Sequence, residues 1–323
     1  MNINLTGLST RIGSKVITSE EIADRFGKPL RRIKKCGITV LYRFSEKETL
    51  EGFAAEGARE SIERAGIFLS DISGIYASVG GPNTEYLMPG LARVVGKKLG
   101  LKEIPMITLS MGCVGGIHAL QIAYNQLVSD SLSGINGNYL IVVGDHTSRC
   151  LDETNWETAP LFSDGVASVI LSNQVNGKYT LTKIGSRALE GDILTMRVLN
   201  PSMLNELKKA TFEMDGEDVF NFATFEAFPA ILKILGIKEL PTNCYLIPHQ
   251  ASGLILGHIQ GRNNIPENQI YKEGIGLMGN LSGASVYFGL EDVIKRNLAP
   301  GKDIILGAFG AEYAVGAAYF KRN

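Results

Sequence analysis

The sequence predicts an α/β protein assembled from two halves of like construction. Short apolar runs of strand length alternate with longer stretches of helical periodicity along the whole chain. The runs are nearly continuous in their apolar character, as in strands buried on both faces of a mostly parallel sheet. The same order of elements then recurs in the second half of the 323 residues. That length suits two units of about 150 residues each, placed here at 1–172 and 173–323.

In the first half an amphipathic helix spans Thr49 to Gly66, and a strand follows at Ile72 to Val79. A second strand, Met106 to Ser110, runs through a glycine turn into the helical pattern Ile117 to Leu127, and a third covers Tyr139 to Gly144. The second half repeats the grammar with a helix over Val219 to Leu235, a strand at Cys244 to Pro248, a glycine turn into the helix Ser285 to Lys295, and a strand at Asp303 to Leu306. Laid over one another, the two series set Cys113 opposite Asn280, each in a glycine-flanked turn before a helix. The spacing from Cys113 to Asp145 nearly equals that from Asn280 to Ala311. Ligands collect at the carboxyl ends of strands in such sheets, so a duplication aims both turns at one shared cleft.

Composition narrows the class. Apolar residues make up 45% and charged residues 20%, the balance of a soluble globular chain. A net charge of −1 gives no electrostatic footprint for nucleic acid or an anionic membrane. The N-terminus lacks a basic segment followed by an apolar one, and no run of about eighteen apolar residues occurs, so neither a signal peptide nor a membrane span is expected. Cys36, Cys113, Cys150 and Cys244 form no Cys-x-x-Cys pair and no cluster with histidine at metal-ligand spacing. Free thiols in a reducing cytoplasm, and no metal site, are the expectation.

Cys113 lies between an apolar strand and a helix, in a turn with Gly112, Gly115 and Gly116. Unpaired amides and the positive end of the dipole at a helix start favour the thiolate, the form that attacks acyl carbon. The glycines leave room for a substrate or a second backbone. A buried, unreactive cysteine is the competing reading, and the strand-turn-helix setting is what speaks against it. Of the four histidines, His118 and His258 fall within helical patterns, and His146 is ambiguous. His249 follows Pro248 at the end of an apolar strand, where an imidazole can point into the cleft. Asn280 beside Gly279 could be an ordinary turn residue. Together with Cys113 and His249 it completes a Cys/His/Asn constellation whose last two members can donate to a thioester enolate. The glycine-rich segment Leu306 to Gly316 follows another apolar strand and offers backbone amides to a reacting oxyanion, or is a tight strand-to-strand turn.

In order and at these separations, the Cys113 turn, Pro248-His249-Gln250 and Gly279-Asn280 resemble the β-ketoacyl-acyl-carrier-protein synthase III family of the thiolase superfamily. Further matches run along nearly the whole chain: Cys36-Gly37-Ile38, Ala65-Gly66-Ile67, Met88-Pro89, Asp164-Gly165 and the ending from Gly316. The resemblance implies a thiolase fold, its duplicated halves stacked in five layers, α-β-α-β-α, and a homodimer. It implies that Cys113 is acylated by an acyl-CoA, and that His249 and Asn280 hold the thioester oxygen of malonyl-acyl carrier protein, or malonyl-CoA, while it loses carbon dioxide. The amides of Cys113 and Ala311 would form the oxyanion hole, and Phe309 would favour decarboxylation by keeping the leaving carboxylate poorly solvated. Asp164 and Gly165 look structural. No cofactor is implied beyond acyl-CoA as substrate.

Departures from the family's pattern matter as much. Relatives often clasp the CoA adenine between a tryptophan and an arginine; here the two positions hold Arg31 and Trp156, the partners exchanged, and a guanidinium and an indole stack in either order. Ser252 is implied to contact CoA and Met88 the acyl pocket. Leu254 falls where many relatives carry an arginine for docking the carrier, and Glu312 where glycine is usual. The reading is therefore a decarboxylative condensing enzyme, in fatty-acid initiation or a specialised precursor pathway. The alternative is an acyltransferase on the same fold that passes the acyl group to an alcohol or amine. A dimeric partner subunit without turnover is a third reading, against which Cys113 stands; a Cys/His/Asn hydrolase is an outside alternative whose motifs and order do not match.

Overall fold

The computed structural model describes residues 2–80, 88–190, 196–198, 210–212, 215–310 and 313–323. The chain opens with strand β1 (Asn4–Ile12), then a ribbon of β2 (Lys15–Thr18) and β3 (Val40–Arg43) that encloses helices α1 (Ser19–Phe26) and α2 (Leu30–Lys35). There follow α3 (Leu50–Ala65), β4 (Gly74–Val79), α4 (Leu91–Leu99), β5 (Met106–Ser110), α5 (Gly115–Leu132), β6 (Asn138–Asp145) and β7 (Gly165–Ser172). After β8 (Tyr179–Ala188), a short ribbon pairs β9 (Met196–Val198) with β10 (Ala210–Phe212). Helix α6 (Gly216–Phe222) passes through a π turn at Ala223–Ala227 into α7 (Phe228–Leu235). The chain ends with β11 (Cys244–Pro248), α8 (Gly253–Arg262), α9 (Gly274–Met278), α10 (Ser285–Lys295), β12 (Asp303–Gly310) and β13 (Ala314–Arg322).

Local signals set the boundaries. Thr49 caps α3 by accepting from the Gly52 amide at 3.0 Å, and Gly66 closes it at φ 68°, a left-handed conformation that glycine adopts without cost. Pro229 lies in the first turn of α7 and cannot donate to the preceding turn. Thr224 meanwhile bonds its hydroxyl back to Phe220 O at 2.8 Å. Both loosen the hydrogen-bond ladder at the π turn, so the helix expected over Val219 to Leu235 is two helices with a widened turn between them.

The strands run in the order β11-β12-β13-β8-β1-β7-β6-β4-β5, in which β8 and β1 share just two residue pairs, so the array is two sheets meeting at a seam. Helix α5 packs on β4 and β6 of the first sheet and on β8 and β13 of the second; α10 packs on β1 and on β11 and β12. Helices α3 and α4 cover the outer face of the first sheet, and α7 that of the second. This is the five-layered α-β-α-β-α arrangement. Buried side chains form one core between the sheets, including Ile117, Leu120 and Tyr287, and one under each outer layer. The sheet is mixed, however, and not mostly parallel. Pairs β4–β5, β4–β6 and β11–β12 are parallel, whereas β1–β7, β6–β7, β12–β13 and β13–β8 are antiparallel. Full burial on both faces gives an antiparallel strand the same continuous apolar run, so composition alone did not separate them.

Candidate active site

The two special turns meet at the middle layer. Past β5 the Met111 amide donates to Val79 O at 2.8 Å, the Gly115 amide to Gly112 O at 2.9 Å, and α5 begins. Cys113 thus lies one residue before Val114, the helix cap, whose side chain offers the helix amides no acceptor. A methyl group at Gly116 would stand 2.6 Å from Gly283 O, and one at Gly283 3.1 Å from Gly112 O, so the Cys113 turn and the turn before α10 pack backbone to backbone. The room left by Gly116 is filled by that second backbone, while a methyl at Gly112 would meet nothing within 4 Å. On the other side, a methyl at Gly310 would lie 2.9 Å from Cys113 Cβ, which brings the end of β12 against the cysteine.

His249 follows β11. Its amide donates to Gly307 O at 2.7 Å, extending the parallel pairing with β12. Gln250, fully buried, pins the turn: its side-chain amide donates to Pro248 O at 2.7 Å and Tyr271 O at 3.2 Å and accepts from the Ile275 amide at 3.1 Å. The imidazole is 2% exposed, with Nδ1 2.6 Å from Ser285 Oγ and the Phe309 ring edge-on at 5.5 Å between centroids. Burial pushes its pKa down to about 4, so at neutral pH it is an uncharged donor.

Asn280 bridges to Phe162, its amide donating to Leu161 O at 3.0 Å and its carbonyl accepting from the Ser163 amide at 2.9 Å. Its Oδ1 accepts from the Ser282 amide at 2.9 Å, which fixes the side-chain amide with Nδ2 as the outward donor. Ser282 pays for that contact with φ 50°, left-handed backbone of the kind stored at functional sites.

Cys113, His249, Asn280, Phe309 and Gly310 line one cavity of about 650 Å³. Its walls are apolar, with Ile33, Ile38, Phe162, Phe222 and Ile255, and Trp156, Ser252 and Leu254 line it as well. Among the described residues the charged members of its lining are carboxylates, Glu157, Asp215 and Glu217. Among the described residues no group of three histidine, cysteine or acidic side chains is placed to hold a metal, and no helix is long and apolar enough to cross a membrane.

Two family models match this architecture, that of 3-oxoacyl-(acyl-carrier-protein) synthase III over residues 107–188 and that of its C-terminal part over residues 244–322. The first spans the Cys113 turn and the second both His249 and Asn280. Curated relatives named β-ketoacyl-acyl-carrier-protein synthase III align end to end: one from Clostridium botulinum is 29% identical over 98% of this chain and 97% of its own. One from Fusobacterium nucleatum is 28% identical over 99% and 98%. The chain belongs to the 3-oxoacyl-(acyl-carrier-protein) synthase III family. A synthase III crystal structure from Aquifex aeolicus, 24% identical, covers 99% of this chain and all of its own with a TM-score of 0.84, which assigns the thiolase fold.

Ala311 and Glu312, like Tyr86 and Leu87, lie outside the described residues. Met88 is 87% exposed at the edge of that segment. The cation over Trp156 is Lys28, 5.8 Å from the ring centroid, with Phe26 edge-on at 5.4 Å. In α2 only Ile33 is buried, so Arg31, two residues earlier, is turned to solvent, while Lys28 in the preceding loop reaches the indole. Asp164 holds the framework: its buried carboxylate accepts from the Phe44 amide at 3.0 Å, the Ser148 amide at 2.9 Å and the Ser148 hydroxyl at 2.6 Å. Sequence reading passed over Ser285 and the pinning role of Gln250; the signal for Gln250 was its place in the Pro248-His249-Gln250 motif.

Proposed function

We propose that this chain is a decarboxylative condensing enzyme that joins an acyl group from acyl-CoA to a malonyl thioester, malonyl-acyl carrier protein or malonyl-CoA, giving a β-ketoacyl thioester. One observation carries the reading: a cysteine at a helix start shares an apolar cavity with two neutral donors, His249 and Asn280. The Cys113 thiolate attacks the thioester carbonyl of acyl-CoA and the CoA thiolate leaves. The malonyl thioester then binds and its carboxylate departs as carbon dioxide. The electron pair of the broken C–C bond passes to an enolate whose oxygen accepts from His249 and Asn280. The enolate carbon attacks the acyl carbonyl, the bond to Cys113 sulfur breaks, and the thiolate is restored.

A neutral imidazole suits this role because it stabilises the oxygen without delivering a proton to it, and each such donor lowers the barrier by on the order of 2.7–4 kcal/mol. In the same reading the amides of Cys113 and Ala311 hold the acyl oxyanion, and Phe309, against His249, keeps the departing carboxylate dry. CoA lies at the mouth against Trp156 and Ser252, with Arg31 on the neighbouring helix. The working unit is a homodimer of chains whose halves are 1–172 and 173–323.

Intact-protein mass spectrometry tests the reading. Wild type and Cys113→Ala are incubated with a panel of acyl-CoAs and then with malonyl donors. The expected result is an acyl mass gain in wild type alone, discharged by a malonyl donor with release of carbon dioxide. No acylation by any CoA overturns Cys113 as nucleophile, and acylation discharged by an alcohol or amine instead of a malonyl donor overturns condensation in favour of acyl transfer.

A further inference from the structure

The turn that opens α10 reaches both donors of the site. Its first residue, Asn280, is itself one of them, and five residues on Ser285 stands against the other. Ser285 is 1% exposed, and its Oγ lies 2.6 Å from His249 Nδ1, while the Gln250 amide donates to the same oxygen at 3.4 Å. The hydroxyl has one proton to place. Were Nδ1 to carry a proton as well, it and the Gln250 amide would both point at Oγ, and the Ser285 proton would have no acceptor among the described residues. A buried hydroxyl proton without an acceptor is costly, and the alternative arrangement pairs the Gln250 amide, the hydroxyl and Nδ1: Gln250 donates to Oγ, Oγ–H donates to Nδ1, and the ring proton resides on Nε2.

We propose that Ser285 is a positioning residue that locks His249 in the Nε2–H tautomer, so that the imidazole donates into the cavity. The inference rests on the condensing reading for its consequence, because only an Nε2 donor serves an enolate oxygen. In the other tautomer Nε2 is a lone pair and repels that oxygen. Burial, which keeps the ring uncharged, leaves two neutral tautomers in competition, and the serine decides between them. Asn280 is set in the same way, its Oδ1 taken by the Ser282 amide, so a single turn orients both donors from behind.

The test reads the tautomer directly. In protein labelled with ¹⁵N-histidine, the His249 signals, assigned by comparison with His249→Gln, should show a protonated Nε2 and an unprotonated Nδ1 at neutral pH. Ser285→Ala should move both signals toward a mixture, and Ser285→Thr, which keeps the hydroxyl, should restore them. In kinetics, Ser285→Ala should lower kcat for malonyl-dependent discharge on the order of tenfold to a hundredfold with little change in KM, less than losing a donor outright. A wild-type spectrum with the proton on Nδ1 overturns the proposal, as does a Ser285→Ala spectrum that matches wild type. If the alanine variant does not fold, the wild-type and threonine spectra still decide. Because the spectra need no turnover, absence of malonyl-dependent discharge would count against the condensing reading and leave the tautomer to be judged on its own.

Discussion

His249 is a titratable group buried with no compensating charge, and that has a price in acid. In the unfolded chain the imidazole titrates near 6.5, in the native chain at about 4. Between those values the unfolded state binds a proton that the native state does not, so stability falls as pH falls through this window. The loss is on the order of 2 kcal/mol at pH 5. Chemical denaturation at pH 7 and pH 5 should therefore show wild type losing more stability than His249→Gln; equal losses would mean that the native imidazole titrates normally. The native ring stays neutral through the same window, so loss of activity between pH 6 and 5 should follow unfolding rather than protonation of the donor. At this scale the sequence was legible where a residue's neighbours in the chain define its setting. Cys113 and His249 follow apolar strands, and Asn280 sits in a glycine turn. Ser285 was not, because a serine opening a helix reads as an ordinary terminus and its partner is 36 residues away. Lys28 was missed for a related reason: which cation reaches an indole depends on the direction in which a short helix carries its side chains.

Strand and helix boundaries in the two parallel units were readable, since β5 and β11 are the apolar runs themselves and α3 is bracketed by its threonine cap and closing glycine. The antiparallel members β1, β7, β8 and β13 carry no comparable punctuation, and their pairing is decided by which edge the returning chain meets. What no single element discloses is how closely two of them approach. The first turn of α5 and the turn before α10 touch through Gly116 and Gly283, and this contact joins the nucleophile to the donors. Gly116→Ala places a methyl 2.6 Å from Gly283 O and 2.9 Å from the Tyr287 ring, neither able to yield cheaply. Overpacking of this kind costs about 1–3 kcal/mol, whereas Gly112→Ala, with nothing within 4 Å, should stay within about 0.5 kcal/mol of wild type. Urea denaturation of both variants checks the contrast. A tolerated Gly116→Ala would show that the two turns are not in backbone contact.

At the scale of the whole molecule the middle layer makes the two halves interdependent. Ile117 and Leu120 of α5 and Tyr287 and Leu290 of α10 belong to one buried cluster that draws on both sheets, so either half alone would expose the face it turns to the other. The outer boundary of the first sheet poses the same problem. Strand β5 is its terminal strand, and where the six residues of β4 are all buried, β5 leaves Ile107 46% exposed. A terminal strand offers unpaired amides and carbonyls, and an apolar side chain on it favours coverage by another strand. In the homodimer proposed above, a second copy related by a two-fold axis would supply one, β5 against β5. Light scattering coupled to size exclusion should give twice the chain mass at micromolar concentration. Ile107→Lys, which puts a charge into that contact without touching the core, should shift the distribution toward monomer and lower turnover in step. A wild-type monomer with full activity would sink the dimer, and an Ile107→Lys variant that stays dimeric would move the interface away from β5.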